Sequence, residues 1–172
     1  TGVVQTAPNL GWQNIDVRGF LQGEFNIPVF IENDVNAGTL GEYRLGAGQG
    51  ASSLVGIFVG TGIGGAIILD GKLHRGFNKT AGEIGHIVIQ PGGPICGCGQ
   101  KGCLEAVASR TAIDRMIRAD LKAGKKSLIT SLIKKSDAQI KSRVLAEAFE
   151  KKDKVVCNAI EKATEYLGNA VG

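Results

Sequence analysis

The sequence predicts an α/β fold, and three observations carry that prediction. Short β-branched runs end in polar residues and pass directly into helical periodicity, as in Pro28-Val29-Phe30-Ile31 followed by Glu32-Asn33-Asp34. Amphipathic helical spacing fills the last third, where Ala112, Ile113, Met116, Ile117 and Leu121 form one stripe. Between these parts lies a glycine-dense middle: 19 of the 26 glycines fall between Gly38 and Gly102. Such density, flanked by ordinary sequence, indicates tight turns and backbone pressed close to a ligand.

The elements follow in order. Gly2 to Ala7 reads as a strand and Pro8 to Trp12 as a turn. Val17, Phe20, Leu21 and Phe25 recur at helical spacing, with Asn14 or Asp16 as the cap. Pro28 to Ile31 is expected to be a buried strand, feeding a helix that runs to about Leu45. A joint between two lobes is expected at Gly46-Ala47-Gly48-Gln49-Gly50, dividing the chain into residues 1–48 and 49–172. Leu54 to Val59 is the next strand, Gly60 to Gly65 a turn, and Ala66 to Leu69 a further strand, with a hairpin turn at Asp70-Gly71. A short strand is predicted at Ile87 to Ile89, before a Gly/Cys loop. The chain is helical from Ser109 to a stop at Gly124, then again over 137–151 and 154–168.

Composition excludes several classes. Apolar residues make up 43% of 172, charged residues 21%, and no apolar run approaches the ~18–20 residues of a membrane span. The start, Thr1-Gly2-Val3-Val4-Gln5, has neither the basic nor the apolar part of a signal peptide. A cytoplasmic location is therefore expected, with both ends cut through structure. Residues 110–154 hold 13 basic and six acidic side chains. The two signs alternate at helical spacing and the lone aromatic, Phe149, makes no Lys/Arg–aromatic interleaving, so this stretch reads as a solvated face and not a nucleic-acid surface.

Three of the four cysteines crowd into Cys96-Gly97-Cys98-Gly99-Gln100-Lys101-Gly102-Cys103, with His86 upstream. One imidazole and three thiolates are the ligand set of a closed structural zinc site. A disulfide with spare thiols is the competing reading, but Cys96 and Cys98 are too close to bridge without strain. Cys157 reads as a small core residue of an amphipathic helix, and His74 as a surface histidine.

Gly60, Gly62 and Gly65 satisfy G-x-G-x-x-G, yet a strand follows where a dinucleotide site needs a helix. A strand, turn and strand with Thr61 at its centre instead offers N–H groups and a hydroxyl to a phosphate. An ordinary hairpin is the alternative. Asn33, Asp34, Glu83, His86 and Glu105 are polar groups in apolar or glycine-rich company. Carboxylates, an amide and an imidazole at set positions can read the paired hydroxyls of a sugar. His86 can serve twice, one ring nitrogen to metal and the other to a hydroxyl.

At these residues the sequence closely resembles the ROK family of repressors, open reading frames and sugar kinases. The matching stretches are Ile31 to Ala37, Leu40 to Tyr43, Gly60 to Gly65, Ala81 to His86, and the cysteine loop through Glu105. The resemblance implies an actin-like ATPase fold, with sugar and ATP in a cleft between two α/β lobes. It implies ATP-dependent phosphorylation of a hexose, glucose foremost, at the 6-hydroxyl. Asp34 would be the catalytic base, and Asn33, Glu83, His86 and Glu105 would hold the sugar. Gly60, Thr61, Gly62, Gly64 and Gly65 would approach the phosphates of magnesium-ATP, and His86, Cys96, Cys98 and Cys103 would bind zinc. A homo-oligomer, dimer or tetramer, is expected. The family's first phosphate loop, Asp-x-Gly-Gly-Thr, is absent from the chain, as is the adenine-side segment expected beyond Gly172, and Leu104 stands where many relatives carry Trp. A sugar-sensing repressor whose DNA-binding module lies outside the chain is the second reading. A zinc-stabilised interaction module is the third, and it leaves Asn33-Asp34 and the glycine turn unexplained.

Overall fold

Local chemistry sets most element boundaries in the computed structural model, which describes residues 2–7, 10–133 and 138–172. Val3–Ala7 (β1) pairs antiparallel with Trp12–Asp16 (β2), so Trp12 belongs to a second strand and not only to the expected turn. Residues 8 and 9 of that turn lie outside the described residues. Asp16 caps the helix Val17–Phe25 (α1) by accepting from the Gly19 N–H at 2.9 Å, and left-handed Asn26 ends it.

The buried strand expected at Pro28–Ile31 does not form. No strand among the described residues pairs with it, and Phe30 is 90% exposed. A strand exists through its ladder, and this segment has the composition of one without a neighbour to bond. The helix that follows, Asp34–Leu45 (α2), begins where expected because Asn33 Oδ1 accepts from both Val35 N and Asn36 N, each at 3.0 Å.

Ser53–Val59 (β3), Ile63–Leu69 (β4) and Lys72–His74 (β5) form a three-stranded antiparallel meander in the order β3-β4-β5. Asp70 and Gly71 take φ of 48° and 74°, the two left-handed residues of a type I′ hairpin turn. The turn expected over Gly60–Gly65 is shorter: Val59 pairs with Ile63, leaving Gly60-Thr61-Gly62 as the tip. Helix α2, placed in the first lobe by the joint expected at 46–50, lies on this sheet. Buried Thr39 sits against Gly56, Gly38 against Phe58, and Val35 against Gly64.

Ile84–His86 is a single 3-10 turn, and the strand expected at 87–89 is reduced to one bridge between Val88 and Cys103. The remainder is helical: Leu104–Ala108 (α3), Arg110–Lys122 (α4), a 3-10 turn at Leu128–Ser131, Ser142–Glu150 (α5) and Lys154–Val171 (α6). Gly124, at φ 85°, stops α4 as expected. The helix expected to begin at 137 begins at Ser142, and 137 itself lies outside the described residues.

Among the described residues two large apolar clusters make most of the core, with a small third of Cys96, Cys103 and Ala106. Ile63, Leu104, Val107, Ala108 and Ala163 join β4 to α3 and α6. Ile117, Ile129, Ile140, Leu145, Val155 and Val156 join α4, α5 and α6. The first cluster is the platform on which the polar residues stand. Among the described residues no helix is long and apolar enough to cross a membrane.

Candidate functional site

The start of β4 is the point where the polar residues converge, and glycine makes that possible. A Cβ at Gly62 would fall on Glu105 Oε2, so its absence lets the carboxylate reach the Ile63 N–H at 3.0 Å. A Cβ at Gly64 would lie 2.6 Å from Val35 Cγ2, bringing the first turn of α2, and so Asp34, against the strand. A Cβ at Gly65 would lie 2.5 Å from the Gly82 carbonyl, and one at Gly85 would fall on the Ile63 carbonyl. Four close approaches along four residues therefore bring Glu105 and the segments that carry Asp34, Glu83 and His86 onto one strand end. Gly64 and Gly65 stand within β4 as packing positions, while Gly60, Thr61 and Gly62 form the exposed tip.

Each carboxylate has a distinct setting. Asp34 is exposed, and its Oδ1 accepts from the Val35 N–H at 2.9 Å. Asn33 spends its carbonyl oxygen on the cap of α2, which leaves the amide N–H groups to face outward. Glu32 was not singled out from sequence. Its Oε2 accepts from Arg75 Nε at 2.9 Å and its Oε1 from Asn36 Nδ2 at 3.0 Å. Burial raises the Glu32 carboxyl, but the bonds from Asn36 and Arg75 outweigh it and leave it below the usual carboxylate range. Glu83 Oε2 lies 3.8 Å from His86 Nε2, so that nitrogen faces the Glu83 carboxylate.

The other nitrogen of His86 faces sulfur. His86 Nδ1 lies 3.6 Å from Cys96 Sγ, and Cys98 Sγ lies 3.7 Å from Cys103 Sγ. All four ligand atoms are within 4.8 Å of one another. Bond lengths of about 2.3 Å to sulfur and about 2.1 Å to nitrogen in a tetrahedron give edges of about 3.8 and about 3.6 Å. A disulfide needs about 2.05 Å, and all four cysteines are free. The cluster thus has the spacing and donor set of a four-coordinate metal site.

Backbone bonds hold the loop: Cys96 N donates to the Gln100 carbonyl at 2.8 Å, Leu104 N to the Ile87 carbonyl at 2.8 Å, and Gly102 N to the Pro94 carbonyl at 2.8 Å. Gly102, at φ 80°, packs where a Cβ would overlap the Gln90 carbonyl. Burial, with the neighbouring thiols, pushes the Cys96 thiol up to about 12 and raises Cys103. A backbone hydrogen bond at Gln100 chiefly lowers Cys98. Such crowding favours neutral thiols until a cation enters, and a divalent ion inverts that preference. Glu105 Oε1, 3.5 Å from Cys96 Sγ, links this loop to the strand end that its other oxygen holds.

Sequence reasoning missed the residues that hold the hairpin tip. Arg110 N donates to the Gly60 carbonyl at 3.0 Å and Thr111 Oγ1 to the Thr61 carbonyl at 2.7 Å. No motif marks them, because they are brought to the tip by the packing of α4. His74 is exposed at the end of β5, as read, whereas Cys157, expected in the core, is only half-buried on α6.

The fold and site define an α/β chain of the actin-like ATPase class, with polar residues set on a glycine-rich strand end beside a Cys3His cluster. The chain belongs to the ROK family, whose sequence model matches residues 1–172. It is 38% identical over 174 residues to a glucokinase of Thermotoga maritima, covering 99% of this chain and 54% of that protein. It is 40% identical over 171 residues to a xylose repressor of Caldicellulosiruptor bescii, covering 99% of this chain and 42% of that one. The crystal structure of a ROK family glucokinase from Streptomyces griseus, in complex with glucose and AMPPNP, superposes with a TM-score of 0.84 at 35% identity. It covers 99% of this chain and 55% of its own. The chain spans about half the length of the curated relatives it matches.

Proposed function

We propose that this chain carries the acceptor-binding part of an ATP-dependent hexose kinase, with glucose the foremost substrate. The observation that carries the reading is that Glu105 holds the first N–H of β4 while Val35, Gly82 and Gly85, the chain neighbours of Asp34, Glu83 and His86, pack against the same strand, beside the Gly60-Thr61-Gly62 tip. Likeness to glucokinases of two lineages supports it. In this reading Asn33, Glu83, His86 and Glu105 bind the sugar hydroxyls, and Asp34 aligns the 6-hydroxyl and accepts its proton as transfer proceeds. Gly60 and Thr61 approach the phosphates of magnesium-ATP. Catalysis then rests on positioning and charge neutralisation, which dominate phosphoryl transfer. Zinc is the metal we assign to His86, Cys96, Cys98 and Cys103. Its contribution is structural: it fixes the loop that sets Glu83, His86 and Glu105 against β4.

The second reading, a sugar-sensing repressor, is favoured by the identity shared with the xylose repressor. One experiment separates the two. The protein at its natural length is assayed with glucose, other hexoses and magnesium-ATP in a coupled assay, beside Asp34→Asn. Turnover that falls about 10²–10⁴-fold in the variant, with sugar binding retained, is the expected result. No turnover, together with sugar-dependent binding to DNA, would replace the kinase reading with the repressor.

A further inference from the structure

The three thiols of the Cys3His cluster are unequally protected. Cys103 is 0% exposed and Cys96 5%, whereas Cys98 is exposed. A Cβ at Gly97 or at Gly99 would meet nothing within 4 Å, so the chain on both sides of Cys98 stands open to a small solute. Cys98 Sγ lies 3.7 Å from Cys103 Sγ, and a bond between them requires an approach of about 1.7 Å. Gly99 and Gly102, at φ 91° and 80°, bracket the segment between the two cysteines and give it the freedom to turn. Cys96 and Cys98 are too close in sequence to bridge without strain, which leaves Cys103 as the partner for the exposed thiol.

This pair stands at the head of the elements that carry the polar residues. Cys103 is the N-cap of α3, and Glu105 lies in the first turn of that helix. Glu105 Oε1 lies 3.5 Å from Cys96 Sγ, while its other oxygen accepts from the Ile63 N–H at 3.0 Å. His86 Nδ1 lies 3.6 Å from the same Cys96 Sγ. A change in the donor set of the cluster therefore reaches His86 and Glu105 without an intermediary. A closed tetrahedral site needs four donors, and a disulfide supplies no thiolate. Joining Cys98 to Cys103 would leave only His86 and Cys96, too few to close the site.

We propose that Cys98 and Cys103 form a peroxide-sensitive switch, whose closure dismantles the metal site and releases His86 and Glu105 from their positions. Hydrogen peroxide is the oxidant. The Cys98 sulfur attacks one peroxide oxygen, the O–O bond breaks, and the products are a sulfenic acid and water. The Cys103 sulfur then attacks the sulfenic sulfur, forming the S–S bond and expelling hydroxide, which takes the Cys103 proton and leaves as a second water. Two thiols lose two electrons, and one peroxide becomes two waters. Exposure sets the order, since only Cys98 is open to the oxidant. A thiol reductant reverses the bond and restores the four donors. The inference rests on the metal and sugar assignments proposed above and adds to them a control by oxidation.

The protein at its natural length, loaded with zinc, is titrated with hydrogen peroxide. About one zinc per chain should pass to a chromogenic chelator, and peptide mapping without reduction should find Cys98 linked to Cys103. Glucose affinity, read by calorimetry, should fall about 10- to 100-fold as His86 and Glu105 lose their anchor. Dithiothreitol with added zinc should restore both metal and affinity. Cys157→Ser should respond as the wild type does, because that thiol lies outside the cluster. Cys98 left unoxidised, or zinc retained once it is oxidised, overturns the inference. Linkage of Cys98 to another cysteine overturns it, as does a loss that dithiothreitol fails to reverse. Disulfide and zinc release with unchanged glucose affinity overturns it too, because nothing is then switched. An untreated, zinc-loaded protein that binds no hexose sinks the sugar reading instead. The switch is then judged by the linkage, the zinc release and a lowered Tm, and it is rejected unless all three appear. Protein that holds no zinc as isolated overturns the metal assignment and the switch together.

Discussion

Gly62→Ala should separate sugar binding from folding, because of where its added methyl group would point. The new Cβ would occupy the place of Glu105 Oε2 and stand 3.0 Å from Glu105 Cδ. The obstacle is the far end of a flexible side chain, so the chain accommodates the methyl group by turning the carboxylate away. Two losses follow. The N–H of Ile63, a residue only 4% exposed, gives up its acceptor, which costs about 1–3 kcal/mol of stability. Glu105 also leaves the position from which it would meet a sugar hydroxyl. A hydrogen bond to a charged group contributes about 1.5–3 kcal/mol, so sugar affinity should fall about 10- to 150-fold. Gly60→Ala is the matched control, since a Cβ there meets nothing within 4 Å. Calorimetric titration with glucose and a thermal melt of both variants, in the protein at its natural length, read the two effects. Wild-type glucose affinity and an unchanged melt in Gly62→Ala would refute the claim that Glu105 is placed by the bare backbone of Gly62.

Cys98→Ser should lower zinc from about one per chain to a trace and weaken sugar binding, because the loop loses one of four anchors; elemental analysis and glucose titration measure both. Zinc lost with sugar affinity intact would break the link between metal and substrate. Asp153 gives a pH test. Burial raises its carboxyl, but bonds from Leu128 N, Val156 N, Ser127 and Val155 N outweigh that and hold it below the usual range. A lowered folded value means the stabilisation is present above the unfolded pKa of about 3.9 and is lost as pH falls through the folded value. The stability difference between wild type and Asp153→Ala, about 2 kcal/mol or more at pH 7 for a cap that also anchors a second segment, should therefore shrink below about pH 4. A difference that stays constant to pH 2 in denaturant titrations would contradict it. The 172-residue chain alone should show no ATP-dependent hexose phosphorylation and should associate through the exposed Phe30 edge. Robust turnover by that polypeptide would show that no further part is needed.

What the sequence determined by itself was local in origin. A helix start near Asn14 or Asp16 is legible because a short side chain with an oxygen can accept the first free N–H groups, and the structure gives that part to Asp16. Asp70-Gly71 announces a hairpin because few residues tolerate two positive φ angles in succession. His86 with Cys96, Cys98 and Cys103 announces a metal-ligand set because four soft donors at short spacing have few other uses, and the structure brings the four atoms together. Tertiary structure alone decided the rest. Pro28–Ile31 has every local mark of a strand, but a strand needs a neighbour, and neighbours are not written in the segment itself. Gly64 and Gly65 looked like part of a phosphate turn, yet their partners are Val35 and Gly82, distant in sequence and invisible to any local pattern. Arg110 and Thr111 belong to no motif, and they hold the hairpin tip only because α4 packs beside it. Caps, turns and ligand spacings depend on a few consecutive residues. Close approaches and cavities depend on how whole elements pack, and only the folded chain holds that information.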